Sequence, residues 1–338
     1  MRNLSNGRIL VTGGAGFIGS LLIWELNNRG IENIVICDRL GKDGRFKNII
    51  PLRFDDYIDA DELLGKITTN DGKLKDLDTV FHLGACAVTA EADCDYLMKN
   101  NFEYTKALAK FALANDCRFV YASSAATYGD GTGGMSDGDD NLYDLRPLNM
   151  YGYSKHLFDC YAKRHGFLDK IYGLKYFNVF GPNENHKGDM ISMVRRAYDQ
   201  IIDNGAVNLF RSYRNDYKDG EQLRDFIYVK DAVDITIFLA TVDSIADGKP
   251  TGGLFNVGSG ESHSWIELVT PIFETLDIPV NINFIDMPGW LVDKYQYYTR
   301  ADLGKLRRLG YTKKMTKLSD AVIDYVKNYL IPDRLVGY

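Results

Sequence analysis

A β-branched run closed by three spaced glycines constrains this chain more than any other feature. Ile9–Thr12 reads as a short strand, Gly13, Gly16 and Gly19 follow in the spacing G-x-x-G-x-x-G, and a helical pattern begins at once with Phe17 and Ile18. The first glycine permits a tight turn and the second lets the backbone approach a pyrophosphate. The third lets helix and strand pack closely, while the helix N-terminus supplies N–H groups and a positive dipole end. Strand, glycine turn and helix in that order are a dinucleotide-binding unit.

The rest of the first half repeats the same rhythm. Strands are expected at Ile34–Asp38, Val80–Leu83, Phe119–Ser123 and Leu174–Asn178, and helices near Phe17–Arg29, Asp95–Asn115 and Met150–Arg164. Alternation of this kind gives a doubly wound, Rossmann-type α/β parallel sheet. Past Gly181 the pattern loosens. Leu209–Leu223 reads as a polar, Tyr-rich loop, and Phe226–Val229 and Leu254–Val257 as late strands returning to the sheet. Asp302–Gly310 and Leu318–Tyr329 read as terminal helices. The expected organisation is a dinucleotide-binding domain over 1–181, with returning segments near 225–258, and a smaller, partly discontinuous substrate domain over 182–338.

A chain of 338 residues can bury such a core. Its formal charge of −6 lacks the basic footprint of a nucleic-acid binder. Cys37, Cys86, Cys94, Cys117 and Cys160 are odd in number and contain no C-x-x-C pair, so a reducing compartment fits better than a disulfide framework. The five histidines form no metal-ligand spacing, and no metal is expected. Residues 9–26 carry too many glycines for a signal or membrane segment, so the expectation is a cytoplasmic protein without membrane contact.

Two stretches extend the cofactor site. The second strand ends in Asp38, where an acid would meet the adenosine ribose, but Arg39 follows directly, with Lys42 and Arg45 close behind. Cationic groups there suit a 2′-phosphate and favour NADP, while the aspartate leaves NAD open. After the strand VFHL, the small residues Gly84, Ala85, Cys86 and Ala87 can border the cofactor together with Leu83. Asn100 and Asn101 lie in the next helix, where an amide can reach the same side.

The acid/base chemistry falls on Y-x-x-x-K. Tyr151 and Lys155 share one helix face at i,i+4. A phenol with an ordinary pKa of about 10 is a poor base at neutral pH, and a neighbouring ammonium favours its phenolate. Ser124, at the carboxyl end of the preceding strand, can hydrogen-bond the reacting oxygen. Tyr153 has Leu157 at i+4 and lacks such a partner.

These segments, TGGAGFIG, SSAATYG and YGYSK, resemble the extended short-chain dehydrogenase/reductase family, which holds nucleotide-sugar epimerases, dehydratases, decarboxylases and reductases. The family's dehydratases place Thr-Asp-Glu where this chain has Ser124-Ala125-Ala126, so elimination of water lacks its carboxylates here. KYFNVFGPNENHKGDM, FHLGACA, RDFIYVKD and KYQYYTRADL resemble the family's ADP-heptose 6-epimerases, over nearly the whole chain. That resemblance implies transient oxidation of C6 on a bound nicotinamide, with Tyr151 and Lys187 as two acid/base groups, Ser124 assisting and Lys155 on the cofactor ribose. It implies Val179 beside the cofactor and Asn178, Asp189, Arg196 and Tyr295 beside the sugar. Phe210, Arg211, Ser212, Tyr213 and Arg224 would hold the adenosine diphosphate. A homo-oligomer, a pentamer in those relatives, is implied as well. Departures are Leu83 for an acid, Ala60 for a basic residue, Asp189 for a small hydroxyl residue, Arg196 for a histidine, and an apparent insertion over 214–222. A UDP-hexose 4-epimerase is the alternative, with the same oxidation at another carbon.

Overall fold

The computed structural model describes residues 2–69, 71–243, 245, 246, 249–292 and 295–338. Lys294, which opens KYQYYTRADL, lies outside them. The central sheet has seven parallel strands: β1 (Arg8–Thr12), β2 (Ile34–Asp38), β3 (Asp56–Asp59), β4 (Leu77–His82), β5 (Arg118–Ser124), β6 (Tyr172–Tyr176) and Gly253–Val257. Their spatial order is Gly253–Val257, β6, β5, β4, β1, β2, β3. The chain leaves β1 toward β3 and then crosses back to β4, so the order reverses between β1 and β4. A ligand crevice opens at the carboxyl ends of strands flanking such a reversal.

Side chains alternate across each strand, and both faces are covered. Ile9, Val11, Ile34 and Ile36 face the core shared with helices Phe17–Asn28 and Val229–Thr241. Leu10, Val35 and Cys37 face the other core, with Leu108, Ala109, Ala112 and Phe158 from helices Tyr104–Ala114 and Met150–Arg164. Helices Met193–Asn204, Trp265–Thr275 and Leu318–Tyr325 form the C-terminal layer. Trp265–Thr275 starts with a reciprocal cap, Ser264 to the Glu267 backbone and Glu267 back to Ser264.

Several segments differ from expectation, each for a local reason. β3, of sequence DYID, is an edge strand with one fully buried side chain, so it carries no hydrophobic run. The helix expected over Asp95–Asn115 is Cys94–Leu97, a π-helical stretch Met98–Glu103, then Tyr104–Ala114. The expected loop 209–223 overlaps strand Val207–Phe210, paired with Ile282–Ile285, and ends in Leu223–Arg224, paired with His263–Ser264. Phe226–Tyr228 does not return to the central sheet but pairs with Asn178–Phe180. The strand expected over Leu174–Asn178 therefore divides. Phe177 N still bonds Val257 O at 3.0 Å, whereas Asn178 N turns to Asp225 O at 3.3 Å. Asp225 holds that turn, since its carboxylate accepts the N–H groups of Ser259, Gly260 and Ala301. Among the described residues no helix is long and apolar enough to cross a membrane.

Candidate active site

The glycine turn is shaped by close approach. Gly13 has φ +71, its N–H bonds Cys37 O at 2.8 Å, and a Cβ there would stand 2.6 Å from Gly84 N. A Cβ on Gly19 would stand 2.1 Å from Gly13 O. On Gly16 it would meet only Gly13 O, at 3.1 Å, with its other side open. Gly16 also heads helix Phe17–Asn28 and gives it no side-chain cap, so the first-turn N–H groups face that opening. This cradle, held close by Gly13 and Gly19 and open beside Gly16, fits a pyrophosphate.

Asp38 and its neighbours form one rim. Its carboxylate accepts Ala15 N at 2.9 Å and Arg39 N at 2.7 Å, with Arg45 Nη1 at 3.4 Å. Burial raises its pKa, and Arg45 and the two N–H groups oppose that rise. Arg39 pairs with Asp61, and Arg45 pairs with Asp43 at 2.6 Å. Only the Arg45 guanidinium therefore stands beside the second-strand acid; that of Arg39 turns to Asp61, and Arg39 meets Asp38 through its backbone N–H.

The opposite rim is tied by Asn101 rather than Asn100. Asn101 is buried; it accepts Cys86 N and donates to Cys86 O, both at 2.9 Å, and reaches Ser154 Oγ at 3.0 Å. It thereby joins the Gly84–Ala87 segment to the helix carrying Tyr151. Asn100, one residue earlier, bonds Tyr96 O and lies 3.5 Å from Arg39. Both amides sit in the π-helical stretch, a distortion that often accompanies functional sites.

Helix Met150–Arg164 starts from an Asn149 cap on Gly152 N, and Gly152 lets it press against Ala126 O. Tyr151 and Lys155 face inward, whereas Tyr153 is 44% exposed and turns away. Burial raises the Tyr151 pKa, and a hydrogen bond with Ser124 opposes it. Lys155 Nζ donates to Ala122 O at 2.8 Å, and burial pushes its pKa down to about 8. Ser123 belongs to a different cluster. It bonds Asp159, which also accepts Tyr121 and pairs with fully buried Lys175 at 3.0 Å.

The turn Asn185–Met190 lies against the glycine loop at Phe17 and is linked to Ala15 through Asn48. Lys187 Nζ lies 4.8 Å from the centroid of the Phe17 ring and 3.6 Å from Glu184 Oε2. Burial lowers its pKa and Glu184 raises it. His186 meets Asn48, whose amide also bonds Ala15 O and Asn183 O. Glu184 escaped the sequence reading, although its i,i+3 spacing to Lys187 was a usable signal.

On the remaining side, Arg224 is buried between Tyr295 at 4.9 Å and Trp265 at 5.8 Å. It donates to the carbonyls of Leu223 and Gln296, and among the described residues no carboxylate pairs with it. A buried cation paired with no anion is costly and suits an anionic ligand. Trp265 Nε1 donates to Tyr295 Oη at 2.8 Å, and Phe210 meets Tyr295 edge-on. Trp265 and Tyr297 were not foreseen, since isolated aromatics among 22 tyrosines and three tryptophans carry no spacing signal. Asn178 donates to Asp225 O, and Val179 pairs with Ile227. Arg211 Nε bonds Phe284 O, Ser212 N bonds Asp219, and Tyr213 is half exposed. Arg196 donates to the backbone carbonyl of Asp189 at 2.8 Å, while Asp189 itself is exposed. In segment 214–222, Arg214 lies over Tyr217 and Tyr297.

The chain resembles known proteins over most of its length. It is 48% identical over 321 residues to the ADP-L-glycero-D-manno-heptose-6-epimerase of Nitratidesulfovibrio vulgaris strain Hildenborough, covering 95% of this chain and 97% of that protein. The enzyme so named from Fusobacterium nucleatum is 45% identical, covering 95% and 98%. The crystal structure of the Helicobacter pylori ADP-L-glycero-D-manno-heptose-6-epimerase superposes with a TM-score of 0.79 at 29% identity, over 96% of both chains. Residues 9–258 match the NAD dependent epimerase/dehydratase family. The chain belongs to that family.

Proposed function

We propose that this protein interconverts ADP-D-glycero-D-manno-heptose and ADP-L-glycero-D-manno-heptose by oxidising and re-reducing C6. The near full-length relatives support the substrate. What supports the mechanism is that the two candidate acid/base groups stand on separate elements: Tyr151, hydrogen-bonded to Ser124, on helix Met150–Arg164, and Lys187, against Phe17, on the turn Asn185–Met190.

The proposed cofactor is NADP. The Gly13–Gly19 cradle would hold its pyrophosphate, Lys155 its nicotinamide ribose, and Arg39 and Arg45 its 2′-phosphate, exchanging Asp61 and Asp43 for it. When bound, the nicotinamide supplies reversible storage of a hydride. Tyr151 holds the proton of one C6 hydroxyl, with Ser124 orienting that oxygen. Inversion turns the carbonyl over, so its oxygen lies on opposite sides of the site before and after, and one fixed phenol cannot serve both. Lys187 serves the second position, helped by the burial that lowers its pKa. Arg224, with Tyr295 and Trp265 against it, anchors the diphosphate and leaves the sugar free to turn. The family resemblance adds a homo-oligomer to the proposal, which sedimentation of the purified chain would examine.

The test is proton NMR of ADP-D-glycero-β-D-manno-heptose incubated with the protein and no added reductant. Both C6 epimers should form, and Tyr151→Phe and Lys187→Ala should each abolish the conversion. Absence of conversion by folded, cofactor-loaded protein, with turnover of a UDP-hexose instead, would sink the heptose assignment in favour of a 4-epimerase.

A further inference from the structure

We propose that Glu184 is the positioning residue of the second acid/base group: its fixed carboxylate holds the Lys187 amine at the cofactor side of the site. The proposal rests on the reading of Lys187 as an acid/base group.

Glu184 is 0% exposed, an unusual setting for a carboxylate outside an ion-pair core. Everything facing its two oxygens is a donor. Ser192 N reaches Oε2 at 2.6 Å, Ser192 Oγ reaches Oε1 at 2.5 Å, and Tyr325 Oη reaches Oε1 at 3.1 Å. The fourth is Lys187 Nζ, 3.6 Å from Oε2. With donors on all sides, both carboxylate oxygens serve as acceptors.

The anchors come from different parts of the fold. Ser192 caps helix Met193–Asn204, and Tyr325 ends the C-terminal helix Leu318–Tyr325. Glu184 is therefore fixed by packing, whereas Lys187 lies on a short turn interrupted by Gly188 at φ +53. A long side chain on such a turn loses considerable rotamer freedom when held. The Phe17 ring and the Glu184 carboxylate together restrict it, one from the cofactor loop and one from the protein interior.

The charge of Glu184 also acts on the proton affinity of Lys187, raising it against burial. Other charged groups nearby are accounted for. His186, with Arg45 and Asp43 around it, is pushed down to about 4 by burial first and Arg45 second, so it stays neutral across the working range. Arg195 pairs with Asp199 and bonds Asn185, and Arg196 bonds the Asp189 carbonyl. Asp189 itself is exposed.

The experiment compares pH profiles of kcat for epimerisation in the cofactor-loaded wild type, Glu184→Gln and Lys187→Met. Glu184→Gln keeps the shape and the acceptor oxygen but removes the charge. Its kcat should fall at least 10-fold with KM within 3-fold. The limb belonging to Lys187 should move to lower pH by a unit or more, whichever protonation state limits, because loss of an adjacent anion favours the neutral amine. An inactive Lys187→Met beside a Glu184→Gln with wild-type kcat and pH profile overturns the proposal. Full activity in Lys187→Met removes the two-base reading and this proposal with it, an outcome distinguishable from the previous one. Should Glu184→Gln fail to fold, Glu184→Asp keeps the charge but draws it back by one methylene. Its kcat should drop with the limb unmoved, and wild-type kcat at every pH would contradict the proposal.

Discussion

At the scale of single residues, the site gathers cations in dry places. Lys155 is the clearest case. Burial takes its pKa from 10.5 to about 8, which corresponds to roughly 3 kcal/mol against the charged form. Below pH 8 Lys155 is charged in both folded and unfolded chains, so that cost is present in full. Between 8 and 10.5 the folded chain loses the proton first, and stability recovers as pH rises. Lys155→Met should therefore raise the melting temperature of cofactor-free protein at pH 7 by a few degrees, while cutting epimerisation at least 100-fold. The thermal gain should shrink steadily toward pH 10. A lower melting temperature at pH 7 would show that its bond to Ala122 O outweighs the burial. Residues of this kind were legible in sequence because helical spacing forces Tyr151 and Lys155 onto one face. Glu184 was not assigned a role, and the sequence could not say which of Asn100 and Asn101 turns inward, because each choice is made by contacts with segments distant in sequence: Tyr325 in one case, Cys86 and Ser154 in the other.

At the scale of elements, the first βαβ unit carries its own specification. Its strand and helix bounds could be read within a residue or so, since Gly13 and Gly19 are required by contacts inside the motif. A Cβ on Gly19 would lie 2.1 Å from the Gly13 carbonyl, a backbone atom that cannot step aside. Gly19→Ala should weaken binding of a nicotinamide dinucleotide more than 10-fold and lower the melting temperature, measured by titration and calorimetry. Gly65 is the control. It lies inside helix Ala60–Thr69 with nothing within 4 Å of its would-be Cβ, so Gly65→Ala should stabilise by about 0.5–1 kcal/mol. Equal effects of the two substitutions would refute the steric account. Other elements were hidden for physical reasons. The edge strand Asp56–Asp59 buries too little to show a pattern. The π-helical stretch Met98–Glu103, of sequence MKNNFE, carries no glycine or proline to mark it. Strand Phe226–Tyr228 looks like a core strand but finds its partner in Asn178–Phe180, next to Asp225, whose carbonyl accepts from Asn178 and whose carboxylate is held by Ser259, Gly260 and Ala301, contacts far apart in sequence.

At the scale of the whole molecule, the strand-order reversal between β1 and β4 provides the crevice, and the C-terminal half gathers a buried cluster of Arg224, Tyr295 and Trp265. The turn Asn185–Met190 is bonded through Asn48 to the glycine loop and through Glu184 to the last helices. The arrangement serves a reaction in which the oxidising partner stays put while the sugar turns. The most direct measurement is epimerisation of ADP-D-glycero-β-D-manno-heptose in deuterium oxide, with C6 of the product examined by NMR and mass spectrometry. Oxidation and re-reduction return the substrate's own hydrogen to C6, so the inverted product should carry no solvent deuterium there. A full deuterium at C6 would mean that the carbon had been deprotonated instead, and would contradict the account.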